Sequence, residues 1–273
     1  MNKILSGKEL AGFIKERQAK DVVRLKSAHK IIPKLAIVQI KDDLIIDTYV
    51  RLKKAYGRDI GIEVESFHPE QSLAIKTIKQ LNKDKSIHGI IVQLPITDPS
   101  QTDQIVNSVD PSKDVDALAQ DTKYDPATPM AILWLLAGYN VDLENKRILL
   151  IGKGRLVGAP LMKIFELSGY QVVMADRSTK NLAEQTRQAD IIITATGSPA
   201  ILYSEMIKPG TVIVDAGVAS ENGKTVGDLA SDVYDRDDLI LTPPKGGVGP
   251  LTVCALFENV IRAAIMVAGK RSV

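Results

Sequence analysis

The sequence predicts an α/β protein of two domains, each built on a parallel sheet with helices against it. Short apolar runs rich in Val and Ile alternate with longer amphipathic stretches along most of the chain. Several of these runs end in glycine, as is typical of a strand that turns tightly into a helix. A stretch rich in Pro, Asp and Thr, residues 110–129, interrupts the alternation and predicts a connection between the domains.

Composition narrows the class of protein. The 273 residues are enough for two ordinary domains, and an apolar fraction of 45% allows each a sizeable core. A net charge of +2 with mixed acids and bases, and few aromatic residues, argue against a nucleic-acid-binding surface. The single cysteine, Cys254, fits a reducing compartment and is interpreted as a small buried hydrophobe rather than a reactive thiol.

Targeting and metal signals are not found. We find no run of about 18 apolar residues and no apolar signal core near the N-terminus, so we expect a cytoplasmic protein without a membrane span. Three scattered histidines and one cysteine give no metal-ligand spacing, and we expect no metal site.

The N-terminal half predicts a first domain over residues 1–125. A helix over 6–26 follows from the helical spacing of its apolar residues, with Ser6 as N-cap and Glu9 completing a capping box. The later elements alternate between apolar β-rich runs and amphipathic runs. They are strands at 34–40, 63–68 and 87–95, and helices at 47–61 and 72–84.

The C-terminal half predicts a second, doubly wound domain over residues 126–248. Its strands are expected at 147–152, 170–176, 190–197, 211–217 and 239–244, and its helices at 130–139, 158–169 and 179–189. A final helix over 249–269 is too long and apolar to be a tail. We expect this helix to pack back on the first domain.

A glycine loop joins the first strand of the second domain to its helix. The stretch "LLIGKGRLVGAP", residues 149–160, places Gly152, Gly154 and Gly158 where backbone N–H groups and a helix N-terminus can attract phosphates. The spacing is one residue longer than G-x-G-x-x-G. A purely structural turn between strand and helix therefore stays open.

Asp176 ends the next predicted strand, where a Rossmann-like domain places an acid on a ribose hydroxyl. An acid there favours NAD because it repels a 2′-phosphate, whereas Arg177 and Lys180 favour a phosphate. The alternative for Asp176 is to cap the turn that follows it. Two later strands end in the glycine-bearing segments 195–199 and 215–220, and ligands of open α/β sheets bind at such strand ends. We therefore predict a dinucleotide-binding domain.

Motifs along the whole chain carry a specific resemblance. "YVRLK" places Tyr49 and Lys53 on one helix face, "GIIVQLP" ends in Gln93-Leu94-Pro95, and "KDVDA" contains Asp114 and Asp116. Counterparts of P-x-T-P, V-G-D and G-G-V-G-P-x-T follow in order. In this order the motifs resemble the methylenetetrahydrofolate dehydrogenase/cyclohydrolase family, the bifunctional folate enzymes of one-carbon metabolism.

The resemblance implies an activity and an assembly. A cleft would separate a folate domain from a Rossmann domain, and two chains would form a homodimer through their Rossmann domains. The implied reaction is NAD(P)-dependent oxidation of 5,10-methylenetetrahydrofolate to the methenyl form, followed by hydrolysis to 10-formyltetrahydrofolate. Family members usually use NADP.

The resemblance also implies residue roles. Lys53 is the implied catalytic lysine, Tyr49 lies beside the folate, Gln93 lies near the lysine, and Asp114 binds the pterin. The predicted folate-binding set comprises Tyr49, Gln93, Leu94, Pro95, Asp114, Gly249, Pro250 and Leu251. The predicted cofactor-binding set comprises Gly152, Lys153, Gly154, Val157, Gly158, Asp176, Arg177, Ser178, Thr196, Gly197, Gly217 and Val218. Taken singly, the four catalytic candidates also fit a solvated lysine, a core tyrosine, a strand-end cap and a turn residue.

Departures from the family pattern concentrate in the cofactor half. Lys153-Gly154 stands where the family reads Arg-Ser, and Asp176 stands in a segment that the family often reads C-H-S-R-T. These changes favour NAD at least as well as NADP. In the folate half, Lys41 and Ile46 replace a glycine and a serine, which leaves the rate of hydrolysis open. The alternatives are a divergent NAD-dependent dehydrogenase of another small substrate and a non-catalytic dinucleotide-binding protein.

Overall fold

A computed structural model describes residues 3–221 and 224–271, which divide into two compact units. The N-terminal unit contains residues 12–127 and the described residues from 253 onward. The Rossmann-like unit contains residues 3–11 and 128–252. Each unit is an α/β structure on a parallel sheet, so the predicted fold class is confirmed. The cleft and the predicted domain limits stay predictions.

Eleven strands and eight α-helices are named here in chain order. The strands are β1 (Lys3–Ile4), β2 (Lys34–Gln39), β3 (Glu63–Phe67), β4 (Gly89–Gln93), β5 (Ile148–Ile151), β6 (Val172–Ala175), β7 (Ile191–Thr194), β8 (Val212–Asp215), β9 (Ala219–Glu221), β10 (Lys224–Val226) and β11 (Ile240–Leu241) within the described residues. The α-helices of the same described ranges are α1 (Gly7–His29), α2 (Leu44–Ile60), α3 (Ala74–Lys83), α4 (Thr102–Val106), α5 (Ala127–Gly138), α6 (Gly158–Leu167), α7 (Leu182–Gln188) and α8 (Val248–Arg271).

The N-terminal unit contains a three-stranded parallel sheet in the order β3-β2-β4. Both later strands pair with β2, so this strand is the point where the order reverses, which is where open α/β sheets bind ligands. Gln39 at the end of β2 lies opposite Gln93 at the end of β4. Helix α2 follows β2 at this edge.

Helix α8 forms part of the core of the N-terminal unit. Phe257 is fully buried, and its ring lies 5.0 Å from the ring of Tyr56. The buried Asn259 amide donates to the Val115 carbonyl at 2.9 Å and to the Asp125 carbonyl at 2.8 Å. Cys254 is buried, as predicted. By length and composition α8 could span a membrane, but 61% of that segment is buried inside the protein, as in a core helix.

The Rossmann-like unit contains a six-stranded parallel sheet in the order β1-β11-β8-β7-β5-β6. Strand β5 lies between β6 and β7, so the order reverses beside it. The glycine loop follows β5 at this point. Strands β9 and β10 form a separate antiparallel hairpin.

Three differences from the prediction have physical causes. Helix α2 begins at Leu44 rather than at residue 47, because the Asp43 carboxylate caps it by accepting from Ile45 N at 2.9 Å. Strand β1 is only two residues long and pairs with β11 far along the chain, so sequence periodicity gives no signal for it. The hairpin of β9 and β10 and the helix α4 are also too short to give a periodic signal in the sequence. The predicted N-cap is confirmed, since Ser6 Oγ accepts from Glu9 N at 3.3 Å.

Candidate functional site

Lys53 and Gln93 meet at the reversal point of the three-stranded sheet. Lys53 Nζ donates to Gln93 Oε1 at 2.7 Å, and Gln93 Nε2 donates to the Leu94 carbonyl at 3.2 Å. Both side chains are half-buried. Burial lowers the pKa of Lys53 below its ordinary value, and the negative charge of Asp116 opposes part of that change. The result is a lysine that gives up its proton more readily than a solvated one.

The two acids of "KDVDA" have different surroundings. Asp114 is 2% exposed, and its carboxylate accepts from Ala119 N at 2.9 Å and from Leu118 N at 3.4 Å. Asp114 therefore holds its own turn together. Asp116 is half-buried and electrostatically coupled to Lys53. Burial raises the pKa of the Asp116 carboxyl, while the positive charge of Lys53 lowers it.

The other predicted folate residues of this unit lie close to the pair in sequence. Tyr49 precedes Lys53 by one helical turn on α2 and is half-buried, and burial raises the pKa of its hydroxyl. Leu94 is partly buried against the core, and Pro95 is exposed after a cis peptide bond. The structure thus brings Lys53 and Gln93 into direct contact, with Tyr49 on the same helix.

Gly249, Pro250 and Leu251 occupy the first turn of α8, in the Rossmann-like unit. Gly249 is exposed and Pro250 is half-buried, whereas the Leu251 side chain is fully buried. The Leu251 side chain is therefore not accessible to a ligand in this structure.

The glycine loop is a tight backbone cradle between β5 and α6. Gly152 has a φ of +108°, and a Cβ there would lie 2.5 Å from the Ala195 carbonyl oxygen. A Cβ on Gly158 would collide with the Gly152 carbonyl oxygen. Val157 stands at the N-cap of α6 and is half-buried, while Lys153 and Gly154 are exposed. Glycine is therefore required at the two ends of this loop, and a Cβ on Gly154 would meet open space.

Asp176 caps the turn after β6. Its Oδ1 accepts from Ser178 N at 2.8 Å and from Ser178 Oγ at 2.6 Å, and these bonds hold the pKa of the Asp176 carboxyl below its usual range. The capping alternative considered from the sequence is thus realised. Asp176, Arg177 and Ser178 are all exposed, and Lys153 lies near enough to contribute to the lowered pKa of Asp176. Capping by Oδ1 does not prevent the other carboxylate oxygen from facing a ligand.

The remaining predicted cofactor residues lie at the carboxyl ends of β7 and β8. Thr196 is half-buried, and Gly197 is exposed with a φ of +63°. Gly217 is half-buried, and Val218 is 54% exposed. These loops follow strands adjacent to β5 or one strand beyond it, so they share one sheet edge with the glycine loop.

Comparison with known proteins identifies the family. Residues 5–116 match the catalytic domain of tetrahydrofolate dehydrogenase/cyclohydrolase, and residues 126–268 match its NAD(P)-binding domain. The chain belongs to the tetrahydrofolate dehydrogenase/cyclohydrolase family. The resemblance drawn from the motifs is therefore confirmed.

Individual members of the tetrahydrofolate dehydrogenase/cyclohydrolase family match over almost their full length. The bifunctional protein FolD of Amoebophilus asiaticus is 36% identical, over 96% of each chain. The crystal structure of FolD from Campylobacter jejuni is 35% identical, covers 98% of this chain and 100% of its own, and has a TM-score of 0.92. The crystal structure of FolD from Trypanosoma brucei, complexed with NADP cofactor and inhibitor, is 26% identical. It covers 97% of this chain and 98% of its own, with a TM-score of 0.91.

Two features of the sites were missed by sequence reasoning. Asp116 was not assigned a role, because the sequence gives no sign of which of the two acids accepts from the backbone of its own turn. The pair formed by Asp215, half-buried at the end of β8, and the buried Asp228 was also missed, because residues 13 apart in separate segments give no periodic signal.

Proposed function

We propose that Lys53, Gln93 and Asp116 carry the chemistry of this tetrahydrofolate dehydrogenase/cyclohydrolase. Family membership makes the chain a methylenetetrahydrofolate dehydrogenase and methenyltetrahydrofolate cyclohydrolase of one-carbon metabolism. The observation that supports the residue assignment is the 2.7 Å bond from Lys53 Nζ to Gln93 Oε1, beside an acid that is coupled to the lysine. Tyr49 borders the folate on the same helix face.

Lys53 acts in the hydrolysis as a proton carrier whose geometry Gln93 fixes. Water adds to the one-carbon centre of the methenyl cation, and the neutral Lys53 amine takes one water proton. The bond from that carbon to N5 then breaks, N5 receives the remaining hydroxyl proton, and the lysine releases its proton to solvent. Because burial lowers the pKa of Lys53, the neutral amine needed for the first step is more populated than in a free lysine.

Asp116, rather than Asp114, is the acid that we assign to the pterin. The Asp114 carboxylate already serves the backbone of its turn, and the residue is almost fully buried. A carboxylate is an acceptor and suits the amino and ring N–H donors of a pterin. The assignment predicts that Asp116→Asn raises the folate KM by at least about tenfold, because a charge-assisted hydrogen bond is lost. Asp114→Asn is expected to lower the denaturation midpoint, with a smaller change of KM.

The test of the lysine assignment uses the adjacent residue as its control. Lys53→Ala is expected to abolish the hydrolysis of methenyltetrahydrofolate, followed by the loss of its absorbance. Lys54→Ala removes the exposed lysine next to it on α2 and is expected to leave the rate near that of the unchanged protein. Full hydrolase activity in Lys53→Ala would refute the assignment.

The glycine loop fits a dinucleotide. Gly152 and Gly158 leave a cradle that a Cβ would fill, and the loop leads into the N-terminus of α6. Gly152, Lys153, Gly154, Val157 and Gly158 would hold the phosphate-bearing part. When bound, the nicotinamide accepts the hydride that the methylene carbon gives up.

Three further parts of the sheet edge complete the proposed cofactor site. The segment 176–178 would meet the adenosine ribose after β6. The loops that contain Thr196 and Gly197, and Gly217 and Val218, would border the nicotinamide end. The support is their common position at the carboxyl ends of neighbouring parallel strands.

The enzyme uses NAD at least as well as NADP in this proposal. Asp176 is ionised, because two bonds from Ser178 lower the pKa of its carboxyl, and a negative charge beside the ribose repels a 2′-phosphate. Lys153 and Arg177 carry the opposite charge and moderate that repulsion. NAD(P) use is the family's property, and the preference is the proposed part.

The cofactor assay measures kcat/KM with NAD and with NADP. Asp176→Ser is expected to shift the ratio several-fold toward NADP by removing the repulsion. Asp142→Ser is the matched control, because Asp142 is also exposed and its carboxylate accepts from Glu144 N in a turn before β5. A strong NADP preference in the unchanged protein would refute the proposal.

The same assay separates the alternatives. A divergent dehydrogenase or a non-catalytic dinucleotide-binding protein predicts no methenyltetrahydrofolate with either cofactor. We also infer a cytoplasmic homodimer that assembles through the Rossmann-like unit. Sedimentation of the purified protein as a monomer at all accessible concentrations would contradict the dimer.

A further inference from the structure

Two carboxylates, Asp215 and Asp228, connect three loops at the carboxyl edge of the six-stranded sheet. Asp228 is fully buried, and it accepts from Thr196 N at 2.8 Å through Oδ2 and from Ser198 N at 3.1 Å through Oδ1. Both donors belong to the loop after β7. Asp228 thus fixes the N–H groups on each side of Gly197.

Asp215 in turn fixes the segment that carries Asp228. Its Oδ2 accepts from Asp228 N at 2.9 Å and from Leu229 N at 3.3 Å. Its Oδ1 accepts from Gly217 N at 2.9 Å and from the Thr194 hydroxyl at 3.1 Å. In each of these bonds a carboxylate oxygen is the acceptor, as suits the charged form of an aspartate.

Two glycines make room for this arrangement. A Cβ on Gly217 would collide with the Asp228 carboxylate, and a Cβ on Gly227 would collide with the Asp215 carboxylate. Each acid therefore lies directly against the backbone of the loop that bears the other. The loops after β7 and β8 and the segment 227–229 form one cross-linked group.

We propose that Asp228 is a positioning residue of the cofactor site, acting through the loop that contains Thr196 and Gly197. The inference rests on the proposed function, in which that loop borders the dinucleotide. Without the carboxylate, the part-buried Thr196 N–H loses its acceptor and Ser198 N keeps only its 3.0 Å bond to Thr196 Oγ1, so the left-handed conformation of Gly197 loses support on both sides.

The same bonds indicate which part of the cofactor this loop takes. The N–H groups of Thr196 and Ser198 already donate to Asp228, so they are not available to a phosphate. A negative charge also lies directly behind them. The loop is therefore suited to the uncharged or cationic nicotinamide end rather than to the pyrophosphate.

The test compares Asp228→Asn with Asp232→Asn in the full-length protein. The amide keeps the shape of Asp228 but turns an N–H₂ group toward one of the two loop N–H groups. We expect the KM for NAD or NADP to rise about tenfold to a hundredfold, since a hydrogen bond to a charged group is lost, with the folate KM nearly unchanged. Asp232 also accepts one backbone N–H, from Ser204 at 3.1 Å, and its variant is expected to leave the cofactor KM unchanged.

A second matched pair covers the case in which Asp228→Asn does not fold. Thr194→Val removes the hydroxyl that donates to Asp215, and Thr211→Val removes a buried hydroxyl that donates to the Lys208 carbonyl before β8. We expect the first variant to raise the cofactor KM about threefold and the second to leave it unchanged.

The outcomes separate this inference from the proposed function. Absence of methenyltetrahydrofolate formation by the unchanged protein with either cofactor would refute the function itself. An active unchanged protein, with a cofactor KM that neither Asp228→Asn nor Thr194→Val alters, would refute the positioning role. A parallel rise of the folate and cofactor KM values would also refute it, because general loosening of the fold then explains the loss.

Discussion

The bond between Lys53 and Gln93 predicts a shift in the pH dependence of hydrolysis. Gln93→Leu removes the acceptor of Lys53 Nζ, 2.7 Å away, while nearly preserving the volume of the side chain. A hydrogen bond to a charged group contributes about 1.5–3 kcal/mol, and the bond to a neutral amine contributes about 0.5–1.5 kcal/mol. The midpoints of these two ranges differ by about 1.2 kcal/mol, which corresponds to about one pKa unit.

The direction of the shift in the pKa of Lys53 depends on which form of the lysine, protonated or neutral, loses more stabilisation when the acceptor is removed. The acceptor favours the protonated lysine, so its removal lowers the pKa of Lys53 further below its ordinary value. In the proposed mechanism hydrolysis needs the neutral amine, so its rate should rise with pH as Lys53 loses its proton. The rising limb of kcat against pH should therefore move about one unit toward acid in Gln93→Leu. Loss of positioning should lower the plateau at the same time.

The assay measures kcat for methenyltetrahydrofolate hydrolysis across pH, after subtraction of the rate without enzyme. Gln39→Leu is the control, because Gln39 lies opposite Gln93 in the sheet but donates to Asp47 Oδ1 at 2.7 Å. We expect its rising limb to stay in place. An unmoved limb in Gln93→Leu, or the same movement in both variants, would refute the reasoning.

Three further predictions concern the glycine loop and the core. Gly158→Ala should weaken dinucleotide binding at least about tenfold in a fluorescence titration, whereas Gly154→Ala, whose Cβ meets open space, should change it little. Phe257→Ala should lower the free energy of unfolding by about 3–5 kcal/mol in urea, against less than about 0.5 kcal/mol for Phe13→Ala, which is 68% exposed. Asn259→Leu should cost about 1–3 kcal/mol in the same experiment, because the buried Val115 carbonyl and the part-buried Asp125 carbonyl lose their donor; unchanged stability would contradict this.

Much of the fold was predictable because apolar periodicity is a local signal. Strands β4, β5 and β7 are short runs rich in Ile, Leu and Val that are buried on both faces, and such runs stand out in a sequence. The strand β1 was not predictable, since it is two residues long and owes its conformation to β11. Periodicity also cannot locate a cap such as Asp43, whose side chain moves the start of α2.

The sequence predicted the residue types of the candidate site better than it predicted which of these residues contact one another. The spacing of Tyr49 and Lys53 is by itself enough to place both residues on one face of α2. The partner of Lys53 required the register between β2 and β4, which brings the end of β4 to the helix that follows β2. Leu251 shows a further limit of motif matching, because a motif does not reveal that the side chain of one of its residues is fully buried.

Asp114 and Asp116 show how two like residues acquire different chemistry within three positions. Residues two apart in an extended segment share a face, so a change of backbone direction is needed to give the two acids different surroundings. The chain turns back at Ala117, whose φ is +58°, and this turn brings the N–H groups of Leu118 and Ala119 to Asp114. The backbone thereby satisfies one acid and leaves the other coupled to Lys53. The motif contains both acids and cannot tell them apart, because they differ in which carboxylate accepts from the backbone N–H groups of the turn.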